Sequence, residues 1–297
     1  MESNNRYKIS FISADKKYLI RRYMITPIVR LSFYPLSILG LLFFRKSRND
    51  KVIFIVGASR SGTTVFLDIF KEHERIANWS EAPHVFESDY YNKEKDNIME
   101  VENLFYKYRL KFLIGSFLAF RGRNKFFLNK HPQNSYRVVA LKKIFPKAKF
   151  IHVIRNGHSV VASNYLQINR DKFRKSMYFG GFPKPRNWKS LLNEKLVFQL
   201  AYYWADVTNY LRDVFEESNK IDKNYIEVFF EEFCNDTDKV LANVDDFCGL
   251  DHSQRINQKS IKLVLDNNKW KKVFTSAEIS KIENITSETM RKFNYIK

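Results

Sequence analysis

Apolar positions along the chain fall into short continuous runs separated by longer stretches of helical period. The runs at 51–56, 126–130, 149–154 and 225–229 are rich in Val, Ile and Phe. Such runs suit strands buried on both faces of a parallel sheet. Between them the period changes. Val65, Phe66, Ile69 and Phe70 recur at helical spacing, and stretches at about 100–120 and 193–217 predict long helices. A further helix is predicted from Phe230 to near Gly249, and a last one after Lys272. Strands alternating with helices predict an α/β fold: a three-layer sandwich with a mostly parallel central sheet and helices on both faces.

The 297 residues suffice for one large domain with an appendage, here read as an N-terminal segment, 1–48, and a domain over 49–297. A hydrophobic content of 44%, with 27 Phe and 16 Tyr, excludes a disordered chain. Lys and Arg outnumber Asp and Glu by 51 to 32, a formal charge of +19. That excess favours polyanionic partners: nucleic acid, acidic lipid or a highly phosphorylated small molecule. Charge alone selects none of these. Cys234 and Cys248 both fall in the stretch predicted as one helix, too far apart to pair on its face. There is no C-x-x-C pair, H-E-x-x-H helix or acidic calcium loop, so no metal is expected.

Residues 26–44, TPIVRLSFYPLSILGLLFF, form the most apolar stretch. Lys16, Lys17, Arg21 and Arg22 precede it, and Arg45, Lys46 and Arg48 follow. It barely reaches the roughly 20 residues of a spanning helix and carries Arg30 and Pro35. No small-residue cleavage site follows it, which argues against a signal peptide. A monotopic, in-plane anchor is the expectation, with a buried helix and a single span as alternatives. The Lys-, Asn- and Ile-rich composition suggests an AT-rich bacterial genome, hence attachment at the cytoplasmic face.

Chemistry enters where the first strand ends. Lys51–Val56 runs into Gly57-Ala-Ser-Arg-Ser-Gly62-Thr63-Thr64 and then a helix. Strand, glycine loop and helix together aim backbone N–H groups and a helix dipole at one point, which stabilises an anion. The glycine spacing is that of the P-loop, G-x-x-x-x-G-K-[ST], but Thr63 holds the lysine position. That lysine supports the phosphates in phosphoryl transfer, so its absence weakens a kinase reading. The cation has moved into the loop, at Arg60.

At these residues the chain resembles the PAPS-dependent sulfotransferases, where PAPS is 3'-phosphoadenosine-5'-phosphosulfate. Arg60-Ser61-Gly62-Thr63-Thr64 match the family pattern P-[RK]-S-G-T-[ST], with Ser59 in place of proline. A second motif follows the strand at 149–154: Arg155 at its end and Ser163 eight residues on, with Gly157 where many members carry proline. The resemblance implies that the loop amides, Gly62, and the hydroxyls of Ser61, Thr63 and Thr64 hold the 5'-phosphosulfate, with Arg60 near the transferred group. It implies that Arg155 and Ser163 hold the 3'-phosphate, as a guanidinium fork and a short donor can. Phe230-Glu231 nearly matches a Tyr-Glu of the family, and Lys269-Trp270-Lys271-Lys272 resembles its C-terminal basic segment.

Sulfuryl transfer requires a base for the acceptor proton and a cation for the leaving oxygen, and needs no metal if basic side chains serve. Glu81 in Trp79-Ser-Glu-Ala-Pro-His84 is the expected base, as a carboxylate made more basic by a closed cleft; His84 and His158 are alternatives. Lys130, at the end of Phe126–Lys130, is the expected cation, with His131 beside it as the other candidate. The basic, aromatic stretch 169–192 reads as a loop covering the acceptor. The expected reaction is transfer from PAPS to a hydroxyl or amine, on a carbohydrate or glycolipid. The rivals are a P-loop nucleotide or sugar kinase, disfavoured by Thr63, and a basic nucleic-acid or membrane-surface binding module. The last accounts for the charge but not for the two motifs, so nucleic acid is not an expected partner.

Overall fold

A computed structural model describes residues 26–44, 51–81, 83–86, 104–122, 124–175, 177–217, 220–256 and 269–296. The described chain begins with α1 (Thr26–Phe44), β1 (Val52–Val56), α2 (Thr63–Phe70), β2 (Ile76–Asn78), α3 (Pro83–Phe86), α4 (Leu104–Arg121) and β3 (Phe126–Lys130). It continues with α5 (Val138–Ile144), β4 (Lys149–Ile154), α6 (Gly157–Asn169), α7 (Lys172–Lys175) and α8 (Leu196–Phe215). The two-residue strands β5 (Glu216–Glu217) and β6 (Lys220–Ile221) form a small antiparallel pair. Last come β7 (Tyr225–Phe229), α9 (Phe230–Asn235), α10 (Thr237–Cys248) and α11 (Ser276–Lys292).

The central sheet has the order β2-β3-β1-β4-β7, and every pair in it is parallel. Alternate residues of β1 build two cores. Val52, Phe54 and Val56 face a layer that includes α4, α5 and α8, where Phe54 meets the rings of Phe86, Phe145 and Phe150. Ile53 and Ile55 face the other layer, with Phe66 and Phe70 of α2, Phe233 of α9 and Leu241 of α10. Burial on both faces explains why β1 reads as a continuous apolar run rather than an alternating one. The three-layer α/β architecture is the one the sequence predicts.

The order of the strands locates the site. The chain leaves β1 toward β3 and β2 on one side, and β4 and β7 lie on the other. Where the direction of winding reverses, the loops after neighbouring strands diverge and leave a crevice at their C-terminal ends. Here those ends belong to β3, β1 and β4, which deliver Lys130, the Gly57–Gly62 loop and Arg155 to one place.

Two local expectations are corrected. The stretch after Phe229 is two helices, because the Asp236 side chain caps the second by accepting from the Lys239 backbone N–H. Cys234 and Cys248 thus lie on different helices. The 169–192 stretch is not an open loop: it contains α7 and two 3-10 turns, and Phe179 and Trp188 are buried in the main core. Much of the expected N-terminal segment, residues 1–25 and 45–48, lies outside the described residues; α1 is the part within them.

Candidate active site

The loop after β1 has an unusual backbone. Arg60 (φ 73) and Gly62 (φ 90) both take left-handed conformations, which turn successive amides toward one side. Gly62 is required twice over, since a Cβ there would lie 2.2 Å from the Phe230 ring. Gly62 caps α2 without a side-chain hydrogen bond, and the first amides of a helix have no intrahelical acceptor. The loop therefore presents donors with no protein partner of their own helix. Ser61 Oγ is buried and also lacks a hydrogen-bond partner among the described residues. A bare anion-binding cradle has these properties.

Side chains from three other elements hold the cradle in shape. Ser135 Oγ accepts from Gly57 N–H at 3.0 Å and donates to Gly57 O at 2.9 Å. Asn164 of α6 donates to Ser59 O at 3.1 Å. Tyr203 of α8 is fully buried; its Oη accepts from Ser59 N–H at 2.8 Å and donates to Ser59 Oγ at 3.2 Å. Burial raises the Tyr203 phenol to about 12, so it remains a donor throughout the physiological range.

The second loop follows β4. Trp204, next to Tyr203 on α8, donates from Nε1 to Arg155 O at 3.2 Å. Gly157 lets the start of α6 approach this ring, for a Cβ would stand 2.7 Å from it. Glu231 accepts from Asn156 N–H at 3.0 Å and from Tyr295 Oη–H at 2.8 Å, tying the loop to α9 and to the C-terminal end. The Arg155 guanidinium lies 5.1 Å from the centre of the Phe230 ring, and its Nε is buried without a hydrogen-bond partner among the described residues. Phe230 thus separates Gly62 from Arg155 and touches both sides of the groove.

The two loops meet directly: Arg60 Nε donates to Ser163 Oγ at 3.2 Å, across 103 residues of sequence. Around this contact lie two adjoining cavities, of about 360 and 510 Å³, that share Arg60, Arg155, Ser163, Gln167 and Arg174. The first contains Thr63, Thr64, Glu81, Lys130 and His131. The second extends to Ser159, Arg170 and Trp270. Arg60 is held below its ordinary value, by burial first and then by the charges of Arg155 and Arg174. Clustered guanidiniums repel one another, and an anion between them removes that cost. Among the described residues no group of His, Cys, Asp and Glu is arranged to hold a metal.

The structure brings Arg60, Gly62, Thr63, Thr64, Lys130, Glu81, Arg155 and Ser163 to this groove, with Ser61 buried in the same loop and lining neither cavity, but the surroundings of Glu81 differ from the expectation. Glu81 (φ 48) accepts a salt bridge from Lys130 Nζ and its side chain is 63% exposed, against 4% for Lys130. It sits at the mouth of the cleft, not in a closed, desolvated pocket. His131 lines the cleft beside it. The His158 ring packs tilted against Trp270, 4.5 Å between centres, and burial lowers it from the ordinary histidine range. The His84 side chain lies outside the described residues. Of the C-terminal basic segment, Trp270 lines the groove, whereas Lys271 and Lys272 are exposed. Sequence reading did not find Ser135, Asn164 or Tyr203 as partners of the loop. Their bonds span 78, 105 and 144 residues, and no local pattern signals them.

The comparisons agree with this geometry. The model of a family described as the sulfotransferase family matches residues 52–254. An uncharacterized protein of Aquifex aeolicus (strain VF5) is 28% identical over 131 residues, 40% of this chain and 17% of that protein. The chain thus spans a small part of that curated relative's length. Among solved structures, the sulfotransferase domain from the curacin biosynthetic pathway superposes with a TM-score of 0.53 at 16% identity, covering 80% of this chain and 96% of that one. The sulfotransferase STF9 from Mycobacterium avium superposes at 0.50 and 13% identity, over 85% and 81% of the two chains. At such identities these likenesses speak for the fold alone. With the family match covering most of the chain, and both loops of the groove within it, the protein belongs to the sulfotransferase family.

Proposed function

We propose that the protein transfers a sulfuryl group from PAPS to an acceptor hydroxyl, or an amine, of a carbohydrate or glycolipid. The observation that carries this reading is the Arg60–Ser163 contact, which joins two anion-binding loops along one groove. The donor has two anionic ends, a 5'-phosphosulfate and a 3'-phosphate, and a ligand of that kind satisfies both loops together. The orphaned Ser61 Oγ at one loop and Arg155 Nε at the other fit such a ligand. ATP lacks the 3'-phosphate and leaves the second loop unused.

In this reading the acceptor oxygen attacks sulfur in line and forms the new S–O bond. The S–O bond to the 5'-phosphate breaks, its electron pair leaving with 3'-phosphoadenosine-5'-phosphate (PAP). Glu81 takes the acceptor proton at the cleft mouth, where its exposure leaves room for a bulky acceptor. Lys130 and Arg60 stabilise the charge that develops on the leaving oxygen. Ser61, Thr63, Thr64 and the loop amides hold the 5' end, and Arg155 and Ser163 the 3' end. The cleft carries more polar and basic side chains than apolar ones, which supports a sugar acceptor over an apolar one.

The test is transfer of radiolabelled sulfuryl from PAPS to a panel of carbohydrate and glycolipid acceptors, run beside thermal unfolding with PAP or with ATP and magnesium. The expected outcome is labelled product, with PAP alone raising the unfolding temperature. Glu81→Gln should lower turnover by about 10²–10⁴-fold, the usual worth of a general base, with PAP binding retained. Protection by ATP and magnesium but not by PAP would contradict the donor assignment. Unchanged turnover in Glu81→Gln would contradict the role of the base.

A further inference from the structure

Among the described residues, the strongly apolar helix α1 packs chiefly on one neighbour. It packs along α4, and Ser37 is 1% exposed. On the side away from α4, Ile28 is 65% exposed, Leu31 79%, Ile38 50% and Leu42 68%. With Pro35 these positions step by three and four residues, so they form one stripe along the helix. An apolar stripe of this length on an otherwise strongly charged protein marks a contact surface. Among the described residues no helix is long and apolar enough to cross a membrane.

We infer that this face lies in the headgroup layer of an anionic lipid bilayer, with α1 parallel to the surface. Charge decides between the occupants. From Lys16 to Arg48 the sequence has eight cations, at positions 16, 17, 21, 22, 30, 45, 46 and 48, and no carboxylate. A second copy of the chain meeting this face would bring two like-charged sets together. An anionic lipid surface complements the charge of this stretch while it covers the apolar stripe. The same docking serves the site. Phe117 of α4 stacks on Trp79 at 4.9 Å, and Arg109 of α4 donates to Val85 O at 2.7 Å. The element that carries α1 therefore also braces the Trp79–Phe86 segment and Glu81. If the reaction proposed above holds, the acceptor hydroxyl belongs to a lipid-anchored headgroup; the docking itself does not depend on that reading.

The experiment is co-sedimentation of the full-length protein with vesicles of phosphatidylcholine alone or with one-third phosphatidylglycerol. A triple variant, Leu31→Ser, Ile38→Ser and Leu42→Ser, serves as the comparison, and circular dichroism reports that each protein is folded while PAP binding is measured beside it. The protein should sediment with the anionic vesicles. Binding should fall by about tenfold or more in the variant. It should also weaken as NaCl rises from about 0.1 to 1 M, where the screening length shortens from roughly 10 to 3 Å. A protein that stays in solution with both vesicles overturns the inference, as does a variant that binds like the wild type. So does a dimer that the variant dissolves without any vesicle binding, which assigns the face to a second copy. Loss of PAP binding in the wild type would instead count against the donor assignment and leave the vesicle result standing.

Discussion

Ser59 stands where the family pattern carries proline, and Gly157 where many members carry another. A proline lacks an N–H and fixes its own backbone, so losing one frees a donor and loosens a turn. Both losses are met by neighbouring residues of one helix. Tyr203 accepts from the N–H that Ser59 supplies, and the Trp204 ring fills the space that Gly157 leaves. Tyr203→Phe removes the acceptor while keeping the ring. A buried N–H without a partner costs about 1–3 kcal/mol, so denaturant unfolding should show a loss of that size. PAP affinity should fall with it, because the cradle is no longer pinned. Unchanged stability and affinity would mean that the loop needs no support from α8.

At the level of elements, the sheet was legible and its bracing was not. Four of the five strands of the central sheet are apolar runs of the sequence, and both loops that line the groove follow such runs directly. β2, three residues long, left no comparable signal, and the break between α9 and α10 depends on a single cap at Asp236. The surroundings of Glu81 were illegible for a different reason. Its salt bridge joins the loop after β2 to the end of β3, an adjacency that only the parallel pairing of those strands creates. The anchoring of α10 is similar. Asp245 is fully buried and accepts from Arg255 at 2.7 and 2.5 Å, with His252 Nδ1 at 2.7 Å. Asp245→Ala would leave the Arg255 guanidinium buried and uncompensated. The expected cost is about 3–5 kcal/mol in chemical denaturation. A loss under about 1 kcal/mol would show that the pair does not hold α10 to α2, whose Ile69 O and Phe70 ring Arg255 also meets.

For the molecule as a whole, folding stability should depend on pH through His152, which lies in the sheet beneath the site. Its Nδ1 is 2.6 Å from Tyr225 Oη, which donates to Glu227, itself paired with Arg212 at 3.0 Å. Burial, and then the Arg212 charge, lower His152 from 6.5 to about 3. The native protein keeps this imidazole neutral, whereas the unfolded chain protonates it below about 6.5. The unfolded state then binds more protons, so stability falls as pH drops from about 6.5 toward 3. A His152→Asn variant should lose less stability over that interval than the wild type, and parallel curves would contradict the assignment. The central claim concerns the groove above. It is tested most directly by calorimetric titration of PAP into the wild type and into Arg155→Ala. Binding that weakens by about 2 kcal/mol or more in the variant is the predicted result, since Arg155 would supply a charge-assisted pair to the 3'-phosphate. A folded wild type that binds no PAP, or a variant that binds it equally well, would contradict the account.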